Sequence, residues 1–127
     1  MSERASASTG YVVFAHGSSI ESANDAVRAV AAEMARRGGL TPVVAAFLEG
    51  GQPDLPGALE ALAKDVSRVV VVPYFLTLGL HLQRDLPRLI DKVKSAHPGL
   101  AIEVTAPLDQ HPAMVEALLD RARQAER

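Results

Sequence analysis

The feature that most constrains the fold is the run Val69-Val70-Val71-Val72, which is closed by Pro73 and leads through Tyr74-Phe75-Leu76 and Gly79-Leu80 to His81. β-Branched side chains are stiff about their first torsion, and a stretch apolar on both faces reads as a central strand of a helix-covered parallel sheet. The run is far too short to span a membrane. Pro73 has no N–H to donate, so the strand ends there, and Gly79 relaxes the loop that follows. His81 therefore arrives just beyond a strand's carboxyl end, where open parallel sheets place their ligands.

The rest of the chain alternates around this strand. Tyr11-Val12-Val13-Phe14-Ala15 reads as the first strand and ends at His16-Gly17-Ser18-Ser19. Ile20, Ala23, Val27, Val30 and Met34 then step by three and four along a helix that Gly38-Gly39 closes. Residues 43–48 form the second strand, which delivers Glu49 into Gly50-Gly51-Gln52-Pro53. Asp54 or the nearby prolines begin the next helix, with Leu55, Leu59, Leu62 and Val66 as its buried stripe. A third helix starts around residues 80–82 and turns Leu86, Leu89, Ile90 and Val93 inward, with Pro87 tolerated in its first turns. His97-Pro98-Gly99 ends it. Residues 101–105 read as a fourth, more polar strand near an edge, and Pro112 opens a last helix carrying Met114, Val115, Leu118 and Leu119.

The order βαβαβαβα predicts the α/β class: a single-domain, doubly wound, parallel four-stranded sheet with helices on both faces, flavodoxin-related, in strand order 2-1-3-4. Residues 1–10, small and polar, read as a flexible leader before one domain over 11–127. A chain of 127 residues, 48% hydrophobic and 22% charged, suffices for one compact domain with a real core. A net charge of -2 gives no broad footprint for nucleic acid or an anionic membrane. The absence of cysteine excludes disulfides, thiolate metal sites and a cysteine nucleophile, and fits a cytoplasmic location. Nucleotide use is not indicated, since neither GxxxxGK[ST] nor GxGxxG occurs. GxSxG is also absent, so Ser18 reads as a helix cap rather than a nucleophile.

With adjacent strands about 4.8 Å apart in this order, His16, Glu49 and His81 gather on one rim, the histidines flanking the switch point between strands one and three. Two imidazoles and a carboxylate suit iron, cobalt, nickel or zinc and leave positions open for a substrate. Each residue also has a plainer reading: a loop histidine, a solvated loop acid. His97 reads as an exposed group complementing a helix end.

His16-Gly17-Ser18, Ala46-Phe47-Leu48-Glu49, Val72-Pro73-Tyr74-Phe75-Leu76 leading to Gly79-Leu80-His81 with Asp85-Leu86-Pro87, and Ala106-Pro107-Leu108 before His111-Pro112 together resemble the small sirohydrochlorin chelatases. These are the CbiX-type class II chelatases, related to the anaerobic cobalt chelatases and to protoporphyrin ferrochelatase. The resemblance runs from Tyr11 to the last helix. It implies ATP-independent insertion of a divalent metal, Co2+ or Fe2+, into sirohydrochlorin on the route to cobalamin or siroheme, with Ni2+ as an alternative metal.

By this similarity His16 and His81 are the metal ligands; the chemistry of proton release then assigns Glu49 to handle pyrrole protons or act as an outer ligand, with either histidine as an alternative proton acceptor. Arg84 and the amides of Ser18 and Ser19 are candidates for the macrocycle's carboxylates. Asp85 either orients the His81 imidazole or caps the helix, and His111 has a pocket-wall or structural role. Ser19 stands where the family usually has a basic residue, which removes one carboxylate contact. Larger relatives hold two such domains face to face, so a homodimer would restore the cleft. The alternatives are a metal-delivery module without turnover, a nickel chelatase for a related tetrapyrrole, and a metal-free enzyme or small-ligand binder on the same scaffold.

Overall fold

Residues 8–126 are described by a computed structural model, and the alternation read from the sequence appears in it element by element. The order is β1 (Thr9–Ala15), α1 (Glu21–Gly38), β2 (Val43–Phe47), α2 (Leu55–Leu62), β3 (Arg68–Pro73), α3 (Leu80–Ala96), β4 (Ala101–Val104) and α4 (Pro112–Gln124). The strands form one parallel sheet in the order β2-β1-β3-β4. β1 is thus central, with Val13 beside Ala45 of β2 and Val72 of β3. No helix among the described residues is long and apolar enough to cross a membrane.

Strand periodicity divides the core. On one face Val12, Phe14, Ala46, Val69 and Val71 pack against Leu55, Leu59 and Leu62 of α2 and against Leu82, Leu86, Ile90 and Val93 of α3. On the other, Val13, Ala15, Ala45 and Phe47 pack under Ala31, Val27 and Met34 of α1. Asp54 caps α2, its Oδ1 accepting from the Gly57 amide at 2.8 Å. The valine run is less symmetric than expected: Val69 and Val71 are fully buried, whereas Val70 and Val72 are half-buried and belong to neither cluster.

Several expectations are corrected. β1 begins at Thr9, so Thr9 and Gly10 are strand rather than leader, with Gly10 paired to Val69; the leader's residues 1–7 lie outside the described residues. The α1 stripe is rotated. Ile20 and Val30 are exposed, and the helix meets the sheet through Asn24, Val27, Ala31 and Met34, because small Ala31 lets the backbone approach where larger side chains would hold it off. Leu89 is half-buried rather than core, and Val66 lies beyond the end of α2 although it is buried. α4 forms where Pro112 predicts it, but it buries none of its residues.

The packing predicts that Leu59→Ala, at a fully buried position, lowers unfolding free energy by about 2–5 kcal/mol. Ile20→Ala should stay within about 0.5 kcal/mol of the native protein. Urea titration of the two variants checks the phase of α1, and equal losses would contradict it.

Candidate functional site

The sheet's hydrogen bonds carry past the strand ends and place the rim residues. Leu48 donates its amide to the Ala15 carbonyl (2.9 Å) and Glu49 to the His16 carbonyl (3.0 Å), so the turns after β1 and β2 run on side by side. Beyond β3, the Tyr74 amide donates to the Phe14 carbonyl at 2.7 Å, and the Phe75 ring lies 5.5 Å from that of Phe14. The loop then reaches Gly79 and enters α3, with His81 in its first turn.

The two turns touch through glycine. Gly17 has φ of 91°, and a Cβ there would lie 1.7 Å from the Glu49 carbonyl oxygen. Gly50 has φ of 73°, and its Cβ would stand 2.9 Å from the Ser18 carbonyl carbon. Both positions therefore require glycine for conformation and for room. Asn24, 1% exposed, ties the turns together: its Oδ1 accepts from the Ser18 amide (3.0 Å), and its Nδ2 donates to the carbonyls of Ser18 (2.8 Å) and Gly50 (3.1 Å). The same amide and Arg28 hold the Glu21 carboxyl below its ordinary value.

This junction revises the role of Ser18. Its amide is engaged by Asn24 and its Oγ accepts from the Ile20 amide, while α1 starts at Glu21 with no side-chain cap. Ser18 is neither the cap nor a spare amide for substrate; Ser19 remains exposed beside it.

The imidazoles are prepared differently. His16 Nδ1–H donates to the Gly17 carbonyl at 3.1 Å, which leaves the lone pair on Nε2, and Nε2 lies 3.5 Å from Glu49 Oε2. Donation of one ring N–H to a carbonyl is a common way of orienting a metal-binding histidine. At His81 the Arg84 guanidinium lies 2.8 Å from Nδ1. Guanidinium only donates, so Nδ1 accepts and the neutral ring carries its proton on Nε2. A metal entering at either nitrogen of His81 displaces Arg84 or moves that proton. Arg84, not Asp85, is therefore the partner of His81; Asp85 lies 3.7 Å from Arg84 and does not cap α3, whose cap residue is Gly79.

His16 and His81 face one cleft of about 330 Å3, lined also by Leu48, Phe75, Leu80 and Asp85. Among the described residues no three ligating side chains converge into a ready-made metal cage. The arrangement is His16 with Glu49 on one side and His81 on the other. Leu80, 83% exposed, and Leu76, 62% exposed, give the rim an apolar lip. A larger hollow, at the far end of α1 among Val30, Met34 and Leu40, contains no imidazole.

Next to the cleft, and sharing Leu48 and Asp85 with it, is a hollow bordered by Arg88 and Lys92. Sequence reasoning missed these cations, although their four-residue spacing from Arg84 along α3 places all three on one helix face. It also missed Asn24, which shares the phase of Val27 and Ala31. His111 proves structural: its Nδ1 accepts from the Ala113 amide and caps α4. His97 sits at the end of α3, with Nε2 2.5 Å from Glu60.

The class these features define is an open doubly wound α/β domain with two imidazoles facing one apolar cleft at the switch point of its sheet and a carboxylate beside one of them. The chain belongs to the CbiX family, whose profile matches residues 10–125. It is 34% identical over 122 residues to the sirohydrochlorin cobaltochelatase of Saccharolobus islandicus, covering 91% of this chain and 94% of that protein. To the sirohydrochlorin cobaltochelatase of Methanosarcina barkeri it is 32% identical over 82 residues, 64% of this chain and 63%, under two thirds, of that one. The structure of SirB from Bacillus subtilis with Fe3+ matches with a TM-score of 0.77 at 25% identity, over 93% of this chain and 47% of SirB.

If the glycine contact sets the site, Gly17→Ala should weaken Co2+ binding by about 10–100-fold, the effect of losing a group that positions a ligand. Gly99→Ala, whose Cβ meets nothing within 4 Å, should bind as the native protein does. Calorimetric titration distinguishes the two, and unchanged binding by Gly17→Ala would contradict the account.

Proposed function

We propose that this chain inserts a divalent metal, Co2+ or Fe2+, into sirohydrochlorin without ATP, in the cytoplasm, on the route to cobalamin or siroheme, and that it works as a homodimer. The observation that carries the reading is the pair His16 and His81 opening on an apolar cleft bordered by cations. A planar macrocycle has an apolar face and a periphery of carboxylates. Leu48, Phe75 and Leu80 match the face, and Arg84, Arg88 and Lys92 match the periphery.

The net reaction exchanges two pyrrole protons for one M2+. An incomplete protein shell serves this exchange, because the metal must lose water to the protein and then pass to four pyrrole nitrogens. Nε2 of His16 is the first ligand, since it already carries the lone pair. His81 joins as Arg84 swings from Nδ1 to a substrate carboxylate. Glu49, beside His16, accepts a pyrrole proton as the metal is handed over, and a histidine released from the metal accepts the other. A cleft of about 330 Å3 lies at the low end of ligand pockets, which run to about 1,000 Å3. It receives one face of the macrocycle, and a second copy covers the other. The similarity to a protein of about twice the length supports this two-lobed arrangement.

Spectrophotometric insertion assays with sirohydrochlorin and Co2+, Fe2+ or Ni2+ test the proposal. His16→Ala and His81→Ala should abolish metal retention and turnover together. Glu49→Gln should retain metal but lower kcat by about 10²–10⁴-fold, the usual worth of a positioned proton acceptor. Metal binding without turnover by the native protein would leave a delivery module in place of an enzyme, and no turnover with any of the three metals would overturn the proposal.

A further inference from the structure

We infer that Arg28 is a positioning residue of the site, tying the loop that carries Glu49 to α1 so that the carboxylate keeps its place beside His16. The assignment rests on Glu49 being the proton acceptor proposed above. The β2–α2 connection, residues 48–53, leaves the sheet and returns to it, because the Phe47 amide donates to the Pro53 carbonyl at 3.0 Å and Phe47 and Asp54 are bridge partners. Glu49 stands on the outgoing arm, where its amide makes the last rung with the β1 turn. Beyond it, side chains of α1 take over. Asn24 Nδ2 donates to the Gly50 carbonyl at 3.1 Å, and Arg28, one helical turn further on, donates from Nη2 to the Gln52 carbonyl at 2.9 Å. Two side chains four residues apart thus hold alternate carbonyls of one loop.

The guanidinium is itself held in place. Its Nη1 donates to Glu21 Oε2 and to Asp25 Oδ1, each at 2.8 Å, and Glu21 Oε1 accepts from Asn24 at 3.1 Å, so both clamping side chains share one carboxylate. Its central carbon lies 5.2 Å from the centre of the Phe47 ring, within cation–π range. The Gly51 backbone lies against the same ring, where a Cβ would come within 2.9 Å. Phe47 is fully buried at the end of β2, whereas Gln52 and Pro53 are exposed and anchor nothing in the core. Arg28 therefore joins two elements that the core fixes, α1 and the end of β2, to a returning arm that the core does not reach.

The chemistry needs such a tether. A carboxylate that takes a proton from a pyrrole nitrogen must stand within hydrogen-bond reach of it, and a misplacement of about 1 Å can cost about 10²-fold in rate. The adjacent glycines 50 and 51 give the loop the backbone freedom to drift that far. Arg28 pairs with Glu21 and Asp25, while Glu49 pairs with His16, so Arg28 acts on the Glu49 carboxylate through the backbone. Its bond to the Gln52 carbonyl has a charged donor and is about twice as strong as a neutral one, which suits an arm exposed to water.

Arg28→Met keeps a helix-forming stem and removes the donors. In amide exchange followed by NMR, the Phe47 amide of this variant should exchange about 10–100-fold faster, the worth of a hydrogen bond to a charged group, while the amides of β1 exchange as in the native protein. In the insertion assay kcat should fall about 10–100-fold with KM for sirohydrochlorin unchanged. Arg28→Lys, which keeps the charge without the planar fork, should lie between the two. Arg28→Met/Glu49→Gln should be no slower than Glu49→Gln alone, since a residue that acts through Glu49 has nothing to position once that carboxylate is gone. Arg36→Met, which breaks a pair with Glu33 within the same helix, should match the native protein in both measurements. Unchanged exchange at Phe47, or a double variant slowed by the full product of the two single effects, would overturn the proposal and leave Glu49 its role. Full activity in Glu49→Gln would instead remove Glu49 from the chemistry, and the positioning role of Arg28 with it.

Discussion

The contact between Gly17 and the Glu49 carbonyl is the constraint on which the site depends. The ladder between the two strands runs on only as far as the Glu49 amide, which donates to the His16 carbonyl, and the turns have no further ladder beyond it. Here they are held by the absence of two side chains and by the amide of Asn24, which satisfies groups on both turns from beneath. The His16–Glu49 pair is then a consequence of backbone geometry. Its members are exposed and 3.5 Å apart, and with the lone pair on His16 Nε2 they form no hydrogen bond that could organise a loop.

His81 depends on a different support. β3 is anchored by Val69 and Val71 in the larger core and ends at a proline buried in the ladder, so the start of α3 is set by packing on one side of the sheet. The two halves of the site therefore answer to different parts of the fold. His16 is held in the tautomer that offers Nε2, while His81 is held by Arg84 in the opposite one. Such an asymmetry suits a group that must take up a metal and then give it away. In the proposed reaction one histidine is ready, and the other is freed when its guanidinium turns to a carboxylate of the substrate.

Strand order and the positions of His16, Glu49 and His81 just past the carboxyl ends of their strands were legible because they follow from strand periodicity and chain alternation, which are local signals with few alternatives. The phase of α1 was not. Its apolar residues fit more than one stripe, and the choice was made by the small side chain Ala31 and by Asn24, a polar residue whose burial is intelligible only once three backbone groups are seen to need it. The engagement of Ser18 and the Arg84–His81 contact were illegible for the same reason, since each depends on which of several donors is nearest in space. Arg88 and Lys92 could have been found from their spacing with Arg84. The helix α4 was readable as a helix, but not that it buries none of its residues, because an amphipathic stripe does not say how far the chain itself covers it.

The central claim is that both imidazoles, supplied from opposite sides of the switch point, hold the same metal ion. X-ray absorption of the cobalt(II)-loaded protein measures this directly. The account predicts multiple scattering from two imidazole rings together with light oxygen ligands, falling to one ring in His81→Ala. An all-oxygen shell in the native protein, or one ring in the native protein that persists unchanged in His81→Ala, would contradict it.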